Sequence, residues 1–142
     1  MTERVELREE VWSVVRRCVA ESLLVDEAEV RPESRLIDDL GADSLDFVDI
    51  VFQLDRELDI QVQGSEFNFL TRLDFSSPAV LREGYLTEDV LARLGRWLPA
   101  LGGVPDRAKV TPRALFSLIT VEALCIVAQR RRDELAGGGA TP

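Results

Sequence analysis

Histidine does not occur in the 142 residues, and lysine occurs once, at Lys109. The first absence excludes Ser-His-Asp and Cys-His catalysis and removes imidazole from any metal site. The second leaves a Ser-Lys dyad a single possible partner. Cysteine is scarce: Cys18 and Cys125 stand far apart, each among apolar residues in a helical pattern, with no CxxC. Both are expected to be small buried hydrophobes. No apolar run approaches the roughly 20 residues that a membrane span needs. The opening MTERVELREE carries charge of both signs and lacks a signal peptide's apolar core, so a cytoplasmic protein without membrane insertion is expected.

What is present reads as one globular domain, 46% apolar and 30% charged. The net charge of −9 repels nucleic-acid phosphates and acidic membranes and favours a basic protein partner. That charge is uneven. Asp26 to Glu66 holds 13 acidic and 3 basic residues, a net of −10, whereas Asp106 to Leu135 holds 6 basic and 4 acidic, a net of +2.

Apolar residues at three- and four-residue spacing predict a first helix over residues 3–24, through Leu7, Val11, Trp12, Val14, Val15, Cys18, Val19 and Leu23. Residues 25–43, with Pro32, Ser34 and Gly41, predict a long loop anchored by Val30, Leu36, Ile37 and Leu40. A strong helix is predicted over 44–58, with Phe47, Ile50, Val51, Leu54 and Leu58 inward. Asp43 is its natural N-cap, and Asp46 meets the orphan N–H groups of the first turn. A short helix capped by Thr87 is predicted to bury Val90, Leu91, Leu94 and Leu98 and to end near Pro99. GGVPDRAKVTP reads as a linker, and a last helix runs from near Pro112 to about Leu135 with Leu115, Leu118, Ile119, Leu124, Val127 and Ala128 inward. Residues 136–142 read as a flexible tail. No strand alternation stands out.

Ser44 lies between Asp43 and Leu45–Asp46 at the mouth of the predicted helix. As a nucleophile it fails, because GADSLD is not the Gly-x-Ser-x-Gly elbow and no base is at hand. As a structural residue it would help to cap the helix. As a modification site it would sit where backbone N–H groups tolerate a phosphate.

LGADSLD, Leu40 to Asp46, resembles the prosthetic-group motif of acyl carrier proteins. The likeness extends through VAESLLVDEAEVRPESRLIDDLGADSLDFVDIVFQLDRELDIQV and returns in ITVEALCIVAQRRRDEL, covering about residues 3–66 and 112–135. The resemblance implies an all-α, four-helix-bundle fold. It implies that Ser44 is esterified by 4′-phosphopantetheine from coenzyme A, transferred by a separate phosphopantetheinyl transferase, with Asp43, Leu45 and Asp46 recognised around it. The arm's thiol would carry acyl groups as thioesters, so the chain itself would be no enzyme and would need no base. The resemblance also implies a docking face for acyl-loading, modifying and acyltransferase enzymes with basic patches. On the 44–58 helix that face is Leu45, Val48, Asp49, Phe52, Asp55 and Arg56, opposite the core stripe. Arg56 departs from the acidic residue common there. An acyl pocket could be lined by Ile50, Leu54, Leu58, Val62, Leu118 and Leu124; plain core fits the same residues.

The chain is longer than an ordinary carrier of this kind. Residues 67–111 read as an inserted helical segment before the last helix, with QGSE in place of the usual acidic PDE turn. The segment holds Phe67, Phe69, Phe75, Tyr85 and Trp97. Extra core packing, an enlarged acyl pocket and a private docking surface are all open readings. The length resembles specialised carriers of bacterial lipid or lipopolysaccharide pathways. A monomeric carrier serving such a pathway, or fatty-acid synthesis, is the expectation. A polyketide carrier, an aminoacyl or peptidyl carrier, and a non-carrying helical interaction protein are the alternatives. Peptidyl carriers more often place Gly-Gly before the motif, where Ala42 stands here.

Overall fold

The computed structural model describes residues 7–62 and 65–138, with Ser44 described by its backbone alone. Among the described residues, six α-helices follow one another: α1 (Glu9–Leu23), α2 (Ser44–Leu58), α3 (Glu66–Thr71), α4 (Glu88–Leu94), α5 (Pro112–Ser117) and α6 (Val121–Gly138). α1 packs on both α2 and α6, and α2 touches α6. This is the all-α bundle expected from the sequence.

α1 buries Val11, Val15, Cys18 and Val19 on one stripe. The predicted span began at residue 3; residues 3–6 lie outside those described, and the helix starts at Glu9. Arg8 stands at its N-cap, and the Arg8 N–H donates to Oε1 of buried Gln129 at 2.7 Å, tying this start to α6. α2 has the predicted bounds, and Phe47, Ile50, Val51 and Leu54 are buried while Leu58 is half-buried.

The single last helix that the sequence predicted is two helices. Apolar periodicity runs unbroken across the junction, but the backbone does not. Ile119, Thr120 and Val121 are β-branched, a run that weakens helix formation. The loop before α2 takes over their backbone groups. The Leu36 N–H donates to the Ile119 carbonyl at 3.0 Å, the Val121 N–H to Ser34 at 2.9 Å, and the Glu122 N–H to Pro32 at 2.8 Å. Thr120 then caps α6, its Oγ1 accepting from the Ala123 N–H at 3.2 Å. The helix continues to Gly138, three residues beyond the predicted end at Leu135; residues 139–142 lie outside those described. The predicted inward residues Leu115, Leu118, Ile119, Leu124, Val127 and Ala128 are all buried.

Between α2 and α5 the chain folds onto the bundle. Ser65 caps α3, accepting from the Phe67 N–H at 3.2 Å. A two-stranded antiparallel hairpin follows, β1 (Leu81–Arg82) with β2 (Tyr85–Leu86), which no sequence alternation announced. Its turn residues Glu83 and Gly84 both have positive φ, 54° and 88°, the backbone that a tight hairpin needs. Thr87 stands at the N-cap of α4 as predicted, but its hydroxyl donates to the Ala79 carbonyl at 2.7 Å instead of capping. α4 stops at Leu94, and a turn carries Trp97 and Leu98 into the core. The stretch read as a linker begins in the 3-10 turn Pro99–Gly103 and holds a second, Arg107–Lys109; its Val110 is buried, its carbonyl accepting from the Leu86 N–H at 2.8 Å.

Four aromatic rings join these parts. Phe116 of α5, Phe47 of α2, Phe67 of α3 and Trp97 stand edge-to-face in series, with centroids 6.4, 6.4 and 6.3 Å apart. Of the aromatics noted in residues 67–111, Phe67 and Trp97 are buried, Phe69 and Tyr85 are partly exposed, and Phe75 is exposed.

Candidate functional site

The mouth of α2 is set by the loop that precedes it. The bonds to Ile119 and Val121 hold Ser34 to Leu36 against the α5–α6 junction. The Ala42 N–H then donates back to the Leu36 carbonyl at 2.8 Å, closing the loop on itself. Gly41 has φ 76°, which an L side chain resists, and this turn delivers Ala42 into the core and Asp43 to the surface.

Asp43 opens the helix with extended backbone, φ −116° and ψ −176°. Its Oδ1 accepts from the Asp46 N–H at 2.8 Å, and Asp46 Oδ2 accepts from the Asp43 N–H at 3.1 Å. This reciprocal capping box satisfies two backbone donors and places two carboxylates against the positive end of the helix dipole. Both aspartates therefore have a folding role that residue type alone foreshadowed. Ser44 is the first helical residue. Its neighbours Gly41, Asp43 and Leu45 are exposed.

The outer face of α2 is apolar and acidic together. Leu45 is 78% exposed, Phe52 64% and Val48 36%. Asp49 and Arg56 are exposed beside them, and Asp55 is partly so. Asp49 is also fixed: it accepts from Ser22 Oγ at 2.8 Å and from Gln53 Nε2 at 2.9 Å. The Ser22 hydroxyl, and then the Gln53 amide, hold its carboxyl below the ordinary aspartate range. Asp55 Oδ1 accepts from the Gln61 N–H at 2.9 Å, closing the turn after α2. The Ser22 bond couples the end of α1 to the α2 face, and nothing in the sequence signalled that pairing.

The residues considered for an acyl pocket lie inward. Ile50, Leu54, Leu118 and Leu124 are buried, and Leu58 and Val62 pack at the edge of the core. Leu118 also borders a surface cleft of about 360 Å³ with Val104, Val110 and Ala114. Cys18 and Cys125 are buried thiols, and desolvation pushes them up to about 11 and about 12. Among the described residues, no helix is long and apolar enough to cross a membrane.

The family model for the phosphopantetheine attachment site matches residues 13–76, which hold most of α1, all of α2 and the whole loop between them. The acyl carrier protein of Thermotoga maritima is 48% identical over 59 residues, 42% of this chain and 73% of that protein. The acyl carrier protein of Campylobacter lari is 39% identical over 64 residues, 45% of this chain and 83% of that protein. No solved structure matches significantly.

Proposed function

The chain belongs to the acyl carrier protein family, whose members are phosphopantetheine-bearing carriers and not catalysts, and from that premise we propose that Ser44 is the residue that bears the arm. The observation that carries the proposal is the position of Ser44. It is the first residue of α2, between exposed Asp43 and exposed Leu45, inside the matched region. A group esterified there meets the N-terminal end of a 15-residue helix, where a phosphodiester is favoured. The aspartates of the capping box add two carboxylates nearby, which oppose close settling of that phosphodiester and leave the arm extended into solvent. The arm supplies a terminal thiol that holds acyl groups as thioesters; this chain supplies the attachment point and the surface that enzymes recognise.

That surface is Leu45, Val48, Asp49, Phe52, Asp55 and Arg56. Apolar groups among acids suit an enzyme with an apolar recess and a basic rim, and such pairing favours fast encounter over tight retention. The acyl chain would lodge among Ile50, Leu54, Leu58, Val62, Leu118 and Leu124. The segment 67–111 distinguishes this carrier from its shorter relatives and supports service in a specialised lipid, lipopolysaccharide or fatty-acid pathway. Because Phe67 and Trp97 of that segment already fill the core beside Phe47, a chain entering there must displace aromatic rings.

The test is loading. The phosphopantetheinylated protein, given a fatty acyl donor and a loading enzyme, should gain an adduct that neutral hydroxylamine releases. Release of an amino acid from an adenylation enzyme's product, with no acyl adduct formed, would favour the aminoacyl carrier instead.

A further inference from the structure

Leu24 combines two unfavourable features. At 91% exposure it is the most exposed large apolar side chain among the described residues. It also has left-handed backbone, φ 57° and ψ 45°, at the end of α1. The other non-glycine residues described with positive φ are Asp59, Gln61 and Glu83, all polar. A glycine would adopt this backbone freely, whereas a leucine resists it. An exposed leucine alone needs no explanation; one held in a disfavoured conformation with no packing in return does.

Its place in the fold supplies the explanation. Arg17 pairs with Glu57 at 3.2 Å, and Ser22 donates to Asp49 at 2.8 Å. Moving along α1 from 17 to 22 thus moves back along α2 from 57 to 49, so the two helices run antiparallel. Past Ser22 this antiparallel run leads toward the N-terminal half of α2, where Leu45, Val48 and Phe52 are exposed. Exposed Glu21 and Asp26 flank Leu24 in sequence, and the stretch from Asp26 to Glu66 carries a net charge of −10.

We infer that Leu24 extends the docking surface of α2 onto the end of α1, and that its occupant is a partner enzyme with an apolar recess rimmed by lysine and arginine. This rests on the carrier reading of Ser44. A second copy of this chain would set acid against acid, and an anionic membrane would do the same. Leu24 is therefore a determinant of partner recognition that lies outside the serine helix.

The experiment uses the full chain, coenzyme A and a phosphopantetheinyl transferase of broad specificity. Wild type, Leu24→Gly and Leu24→Asn are compared for the KM and kcat of carrier modification. Both variants accept left-handed backbone and both remove the apolar group. The KM for the carrier should rise about tenfold in each, with kcat unchanged, the pattern of lost binding before chemistry. Leu24→Gly should also melt about 3 °C higher, since it relieves the backbone. An unchanged KM in both variants would overturn the inference while wild-type modification keeps the carrier reading intact. Absence of modification in folded wild type would overturn both.

Discussion

Cys18 and Cys125 show how little reactive chemistry the folded chain carries itself. Burial raises their thiols to about 11 and about 12, so neither is a thiolate at pH 8. A disulfide reagent at that pH should therefore titrate no thiol in the unmodified folded protein and one in the phosphopantetheinylated protein. Both cysteines should appear once denaturant is added. Asp49 offers a second test at this scale. Its carboxyl lies below the ordinary range because Ser22, and then Gln53, donate to it. A depressed carboxylate adds stability above its unfolded pKa and loses it as pH falls through the folded value. Ser22→Ala should raise the Asp49 pKa toward the ordinary aspartate value, read by NMR titration of its side-chain carbon. The capping role of Asp43 was legible because residue type and helix period agree at that point. The conformation of Leu24 was not, since leucine gives no turn signal and continues the α1 pattern by one more residue.

The elements were legible where one period filled a long segment, as in α1 and α2. They were not where tertiary bonds override a continuous pattern. The break between α5 and α6 is of that kind: Leu115, Leu118, Ile119 and Leu124 keep helical spacing, yet Thr120 faces Arg35 across an isolated bridge. Thr120 caps α6, its Oγ1 accepting from the Ala123 N–H, so Thr120→Ala removes a cap worth about 1 kcal/mol. The expected melting temperature falls by about 3 °C. Amide exchange should quicken first at Ala123, whose N–H loses its acceptor. The β1–β2 hairpin escaped notice for a different reason, because strands of two residues are too short to show alternation.

Over the whole molecule, residues 67–111 are not an appendage. Phe67 and Trp97 continue a row of rings that begins on α5 and α2. The sequence showed that these aromatics were present but not that they reach the bundle, because the contacts join residues far apart in the chain and carry no local period. Trp97 is 1% exposed, and its indole N–H finds no acceptor among the described residues. Trp97→Ala should cost about 3–5 kcal/mol by denaturant unfolding. Trp97→Phe should cost less than half of that, since it keeps a ring against Phe67 and removes a donor that is not bonded. Equal losses in the two variants would show that ring packing is not what holds the segment to the bundle. The uneven charge was legible from the outset, and the structure sets exposed Leu45 and Phe52 within the acidic stretch.

Attachment of the arm at Ser44 can be read by intact mass. The purified protein is incubated with coenzyme A and a broad-specificity phosphopantetheinyl transferase, in parallel with Ser44→Ala. The wild type should gain one phosphopantetheine and the variant none. A folded wild type that gains nothing, or a Ser44→Ala variant that gains the same mass, would contradict attachment at Ser44.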